Sequence, residues 1–519
     1  MSHGLVTDQP ISREELMLLR DRPVHVIGAA SAEGVAVMML LQRLGWSLVI
    51  PHDMRDRSVL RKAFRTTHGA YDRREQDAIW EQIGPFIDQA RCGDDYLTGI
   101  ADTDTISLGQ GWYLDAANRA NVVAAAPAHG AVLSMSSLYM ALIQGPIAGI
   151  TGTNGKSTTT AFVEHCFATA GRAVSVAGNE RSSRQFLPQV DEVPADQWSL
   201  LEISNRQLLQ MSASPQVAAI TALTPDHLEE HGGMDGYVAA KCRLFSWQQP
   251  QDIAIACADD PRALAAAQSG PSTRISRCGC DAHEGPGVRW IGSSLVAVSH
   301  PIHDAAGGGV YDGVVADRSD VRTRGEHNLR NLAVGAAVAL SCGVPAAAVR
   351  EAIRTFTGKS LRLEHLAQVD GMDVWSDIKS TTPEATIAAL DAMFDPSSGA
   401  VPGRVMLILG GDDKGLEYAP LAQKVSRDDV TVFAVPGSAT DALEAALGAT
   451  SHPAVLHRVA DLAAALDEAF SQGAAGDCVI VSPAAAGFWS TQLQGGSSLR
   501  ALVRRRSAVN TSNMEASNR

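Results

Sequence analysis

The sequence predicts an α/β fold in three domains: a Rossmann-like N-terminal domain, a central P-loop ATPase domain and a Rossmann-like C-terminal domain. Three observations carry this reading. A length of 519 residues suits about three domains. Residues 148–167 pass from a short apolar strand through a tight glycine-containing turn into a helix, which gathers backbone N–H groups and a helix N-terminus around a phosphate. Short apolar runs followed by glycine turns and helices recur on both sides of that segment, at residues 23–50, 405–415 and 479–488.

Composition narrows the partners. Hydrophobic residues make up 45% and charged residues 19%, a balance that fits a soluble protein with sizeable cores. The net charge of −14, with no long basic run, argues against nucleic acid or an anionic membrane as the main partner. No stretch is long and apolar enough to cross a bilayer, and residues 1–20 lack a signal-peptide core, so a cytoplasmic protein without membrane insertion is expected. Of eight cysteines only Cys278 and Cys280 are close, and no second pair completes a zinc site; reduced thiols are expected. A monomer is expected.

In chain order, residues 23–34 read as a strand entering a small-residue turn, followed by a helix over 35–44 and a strand over 47–50. A full G-x-G-x-x-G is absent, because Ala30 and Glu33 stand at its second and third glycine positions. A nucleotide site and a purely structural turn are equally compatible with it. Residues 57–91 are charged and look helical.

The phosphate loop is Gly152-Thr153-Asn154-Gly155-Lys156-Ser157-Thr158, shorter than a full Walker pattern because Ile150 stands where its first Gly would be. Lys156 can reach the outer phosphates and Ser157 can hold Mg²⁺. Residues 199–204 form a buried strand that ends in Glu202 and Ser204, and such a strand end is well placed for a metal. After the strand 217–220 come Asp226 and His227, where the carboxylate can orient the imidazole. Lys241 lies on a helix over 237–245. Residues 270–320 read as loops and short strands. A helix over 325–340 carries Asn328 and Asn331 on one side, with capping as the competing role for Asn328. Arg362 follows a linker, Asp377-Ile378-Lys379-Ser380-Thr381 ends a strand, and Gly410-Gly411-Asp412-Asp413-Lys414-Gly415 follows another. Ser482-Pro483-Ala484-Ala485-Ala486-Gly487-Phe488 follows the last strand, and residues 507–519 read as a disordered tail.

Taken together, residues 140–490 resemble the Mur ligase family, the ATP-dependent amide ligases of peptidoglycan precursor synthesis. The Gly-Gly-Asp-x-Lys-Gly stretch is similar to that of the glutamate-adding branch. The resemblance implies an N-terminal domain for the UDP-muramoyl precursor over 1–144, an ATP-binding domain over 145–357 and a domain for the acidic amino acid over 358–506. It implies ATP contacts from Gly152 to Thr158 and from Asn328, Asn331, Arg362 and Asp377. Two Mg²⁺ sites would involve Ser157, Glu202, His227 and Lys241, the last carbamylated by CO₂. Lys156, His227, Lys241 and Lys379 would serve catalysis, and Asn179, Ser204, His227, Thr381, Lys414 and Phe488 would face the substrates. The implied activity is addition of D-glutamate to UDP-N-acetylmuramoyl-L-alanine through an acyl phosphate. Ile378, Gly487 and the Glu180-Arg181 pair depart from the family pattern, so a paralogue that joins another carboxylate to glutamate or another acidic amino acid is the alternative.

Overall fold

The computed structural model describes residues 11–68, 71–109, 116–177, 185–281, 284–303, 309–396, 401–413, 415–451, 453–488 and 499–505. It divides into two compact units, Met1–Val321 with Arg330–Thr355, and Arg322–Leu329 with Phe356–Arg519. The first two expected domains therefore lie in one unit, each with its own sheet.

The N-terminal sheet is parallel, in the order Arg91–Cys92, Val49–Asp53, Val24–Ile27, Thr105–Leu108, Val132–Ser134. The first strand in sequence lies at the centre and the chain winds outward from it on both sides, which is Rossmann-like. Ser31 caps the helix Ala32–Arg43 by accepting from Gly34 N at 3.0 Å. A Cβ on Gly34 would run into the Gly28 carbonyl. The glycine that lets helix and strand approach is thus displaced by one residue from the expected third position, which Glu33 fills. The charged stretch after residue 57 forms the helices Leu60–Thr67 and Arg73–Ile87, the second opened by an Asp72–Glu75 capping box.

The central sheet runs Arg274–Cys278, Ile253–Cys257, Val217–Ile220, Ile147–Thr151, Trp198–Glu202, Val174–Ala177, and its pairings are parallel. Four of these strands are buried at every position, as near-continuous apolar runs covered on both faces should be. The region expected to be loops and short strands forms a three-stranded antiparallel sheet, Gly287–Ile291, Ser294–Pro301, Val310–Asp317. Two register shifts between the last two strands break the alternation of apolar residues there.

In the second unit the sheet order is Glu364–Val369, Met372–Ser376, Cys478–Val481, Val405–Leu409, Val430–Ala434, Leu456–Arg458. Only the first of these pairs antiparallel. The parallel strands Met372–Ser376, Cys478–Val481 and Val405–Leu409 are neighbours, so the loops that follow them converge at one edge.

All eight cysteines are free. His300 is fully buried, with Nδ1 3.0 Å from Ser276 Oγ and Nε2 2.9 Å from the Ala337 carbonyl. Burial lowers its pKa to about 4. The folded state keeps this imidazole neutral, while the unfolded chain takes up a proton below about pH 6.5. Stability should therefore fall as pH drops from 6.5 towards 4, by on the order of 2 kcal/mol at pH 5 for a group shifted this far. Urea unfolding of His300→Gln at pH 7 and pH 5 should show a smaller difference than the parent.

Candidate functional site

The loop at residues 152–155 is shaped by its two neighbouring strands. Ile150 pairs with Glu202 on one side and Thr151 with Ile220 on the other. The loop therefore emerges between a carboxylate and the Thr221 hydroxyl. Gly152 has φ 146° and Gly155 φ 88°. A Cβ on Gly152 would collide with Thr221 Oγ1, and one on Gly155 with the Asn331 amide. Only glycine permits both the backbone conformation and the close approach. Gly155 then opens the helix Lys156–Thr169, whose first N–H groups have no partners within the helix. Thr153 N bonds to the Ala222 carbonyl at 2.7 Å, and Asn154 Nδ2 to Thr224 Oγ1 at 3.3 Å, which ties the turn to the next strand end.

Three charged side chains meet at this loop. Ser157 Oγ donates to Glu202 Oε1 at 2.9 Å, and both residues are buried. Lys156 Nζ donates to the Gly152 and Thr153 carbonyls at 2.9 and 2.7 Å. Lys241, from the helix Met234–Cys242, is 1% exposed; its Nζ lies 3.0 Å from the same Gly152 carbonyl and 3.1 Å from Thr151 Oγ1. Burial, and then the Lys156 ammonium, hold the Lys241 amine well below the usual lysine value, against the opposing pull of Asp226 and Glu202. A glycine cradle, a hydroxyl on a buried carboxylate and a buried amine with lowered proton affinity form a donor set that fits a phosphate chain and a hard divalent cation.

Tyr237, one turn before Lys241, lies with its ring 5.4 Å from Lys241 Nζ and its hydroxyl 2.9 Å from Thr153 Oγ1. Its i, i+4 spacing from Lys241 was the available sequence signal. His227 is in the left-handed region, φ 50°, at the start of the helix Leu228–His231. Its Nδ1 is 3.3 Å from Glu230 and its Nε2 3.5 Å from Asp226. Burial would raise the Glu230 carboxyl, but Arg206 and His227 outweigh it and hold it at about 2. His227, Glu229 and Glu230 offer converging ligand atoms, a grouping that sequence reading did not select. Ser204 acts as a helix cap, accepting from Gln207 N at 3.2 Å, and Gln207 donates to Glu33 at 2.9 Å. Thr158 is buried on the helix behind the loop, and Asn331 places its carbonyl 3.5 Å from Thr159 Oγ1.

The second unit gathers its own cluster. Asp377 is buried and accepts from Ser482 Oγ at 2.8 Å and from Leu363 N at 3.0 Å. Burial pushes its carboxyl up to about 6, against the Ser380 and Ser482 hydroxyls. Arg362 stands between Leu361 and Leu363, both with positive φ. Lys379 N bonds to the Leu361 carbonyl at 3.1 Å, and Thr381 is half-buried before the Thr382 cap of the helix Pro383–Phe394. Asn328 Nδ2 donates to the Arg324 carbonyl at 2.7 Å, a bond to the backbone just before its helix. Phe488 is 2% exposed, with its ring packed in the core. Gly487 has φ 73°, and a Cβ there would overlap the Asp412 carboxylate. Asn179 and Lys414 lie outside the described residues.

The Mur ligase middle domain matches residues 150–339, and the Mur ligase glutamate ligase domain matches residues 361–485. The chain is 32% identical over 399 residues to a UDP-N-acetylmuramoylalanine--D-glutamate ligase of Symbiobacterium thermophilum, covering 76% of this chain and 82% of that protein. It is 34% identical to the enzyme of the same name from a Roseiflexus species, covering 73% and 80%. Among solved structures it is similar to UDP-N-acetylmuramate-alanine ligase from Thermotoga maritima, with a TM-score of 0.54 at 14% identity over 95% of this chain and all of that one.

Gly155 and Gly171 provide a paired test of the cradle. Both have left-handed φ, but nothing lies within 4 Å of a Cβ at Gly171, whereas Asn331 blocks one at Gly155. Alanine at Gly171 should cost about 1 kcal/mol of stability from the backbone alone, and alanine at Gly155 about 1–2 kcal/mol more. Urea titration of the two variants measures the difference.

Proposed function

The chain belongs to the Mur ligase family, and on that premise we propose that it adds D-glutamate to UDP-N-acetylmuramoyl-L-alanine in an ATP-dependent reaction of peptidoglycan precursor synthesis. The observation that carries the reading is the joining of Lys156, Ser157, Glu202 and Lys241 around one glycine loop. Gly152 to Thr158 would cradle the ATP phosphates, with Lys156 leaving the loop carbonyls for the outer ones. Charge neutralisation there lets the precursor carboxylate attack the γ-phosphate. The amine of glutamate then displaces phosphate from the acyl phosphate to give the amide.

Ser157, Glu202 and His227 would hold Mg²⁺, with Lys241 joining them as a carbamate in a second site. The metal would supply further neutralisation of the phosphate oxygens. A carbamate forms only on an uncharged amine, and the lowered proton affinity of Lys241 favours that form. The Tyr237 ring and the Thr151 hydroxyl would orient that side chain. Asn328, Asn331, Arg362 and Asp377 would contact the nucleotide, and Lys379 would face the reacting groups. Thr381 and Lys414 would hold the amino acid, and Asn179 and Ser204 the precursor.

One observation favours a second reading, a paralogous ligase with a different acceptor or acidic amino acid. Asp412 fills the volume that a side chain at Gly487 would need, where the resemblance leads one to expect a serine.

Purified protein with ATP and Mg²⁺ should release phosphate when given UDP-N-acetylmuramoyl-L-alanine and D-glutamate. No release with any member of an amino-acid panel would favour the second reading. Lys241→Ala should abolish turnover, and added bicarbonate should not restore it; near-normal activity in that variant would remove the carbamate.

A further inference from the structure

Two consecutive carboxylates, Asp259 and Asp260, follow the strand Ile253–Cys257, the neighbour of Val217–Ile220. Each ties down a segment on which the phosphate loop rests. Asp260 caps the helix Pro261–Gln268 through Oδ1, and its Oδ2 accepts from Leu223 N. Leu223 stands between two residues that bond to the loop. Ala222 O accepts from Thr153 N at 2.7 Å. Thr224 donates its N–H to Thr153 Oγ1 at 3.1 Å and accepts from Asn154 Nδ2 at 3.3 Å. Asp260 therefore fixes the segment beneath Thr153 and Asn154.

Asp259 serves the other end of the loop. Its side chain is 3% exposed and accepts from Arg330 Nε at 2.8 Å, Cys280 N at 2.8 Å and Asp281 N at 3.1 Å. A carboxylate buried this far needs such donors. The turn Cys278-Gly279-Cys280 closes on it so tightly that a Cβ at Gly279 would overlap it. Arg330 precedes Asn331 in the helix Glu326–Ser341. The Asn331 amide fills the space beside Gly155, and the Asn331 carbonyl lies 3.5 Å from Thr159 Oγ1. Within a helix the placing of one residue sets that of the next, so the charge-assisted bond on Arg330 decides where Asn331 meets the loop. All of these residues belong to the first unit.

We infer that Asp259 is a positioning residue of the nucleotide site: through Arg330 it holds Asn331 against Gly155, while Asp260 holds the segment under Thr153 and Asn154, and together they keep the loop shaped for a phosphate chain. The inference rests on the loop binding a nucleotide and needs nothing from the identity of the acceptor or the amino acid.

Calorimetric titration of the full-length protein with ADP and Mg²⁺ tests it. Asp259→Asn keeps the size of the side chain and leaves Arg330 in place. Arg330→Gln leaves Asp259 its two backbone donors, so it should fold even if the first variant does not. Each should weaken ADP binding about 10-fold, and the double variant should bind no worse than either, because both break the same link. Asp260→Ser still caps its helix but is too short to reach Leu223, and it should weaken ADP binding as well. Asp320→Asn is the control: Asp320 is also buried, with Arg350 and Arg354 at 3.0 and 2.8 Å. That variant should lose stability in urea with its ADP affinity unchanged. Unchanged ADP affinity in Asp259→Asn, additive losses in the double variant, or an equal loss of affinity in Asp320→Asn would overturn the inference. A parent that binds ADP and shows the expected pattern of variants, but releases no phosphate with any acceptor, overturns the D-glutamate reading alone.

Discussion

Two lysine side chains share one carbonyl oxygen at the root of the phosphate loop, and the rest of the site is arranged around that contact. Lys156 and Lys241 both donate to Gly152 O, one from the loop helix and one from a helix that begins 78 residues after Lys156 (Met234–Cys242). Burying a second cation beside the first is unfavourable unless acceptors and nearby carboxylates offset it. Thr151 Oγ1 and the Gly152 carbonyl supply the acceptors, and Glu202 and Asp226 supply the field. The cheapest relief is loss of the proton from Lys241. Burial therefore favours the neutral form of this amine, and placing it there required strand, loop and helix to meet at one point.

The sheets explain why they meet. In a parallel α/β sheet the carboxyl ends of the strands lie on one edge, so residues far apart in sequence become neighbours. Glu202, Thr221 and the glycine loop follow three adjacent strands of the central sheet. The second unit repeats the principle: the segments after Ser376, Leu409 and Val481 are joined through Asp377–Ser482 and through the paired backbone bonds of Asp412 and Ala486. Each unit builds one polar edge from three crossings of its own sheet.

Much of this was legible before any coordinates. Strands that are buried on both faces read as unbroken apolar runs, so Val217–Ile220 and Val405–Leu409 were expected at the observed bounds. The phosphate loop announced itself because its glycines answer to a backbone requirement that no other residue meets. What could not be read were contacts set by tertiary approach. Nothing local marks Gly34 as the residue beneath the Gly28 carbonyl, or Arg206 as the partner of Glu230, 24 residues away. The packing of the Phe488 ring into the core of the second unit was likewise not visible in its motif. The antiparallel sheet over Gly287–Asp317 was blurred by its own register shifts, which interrupt the alternation by which an exposed-and-buried strand is recognised.

The Asp412 carboxylate fills the space that a Cβ at Gly487 would need, and the positive φ of Gly487 disfavours a side chain as well. Asp412 is exposed and free to shorten, whereas Gly487 cannot gain a Cβ while the carboxylate stays where it is. In a lineage descended from this chain, a larger residue at the second position becomes tolerable only after the first has shortened or rotated away. Geometry therefore favours one order of the two replacements over the other.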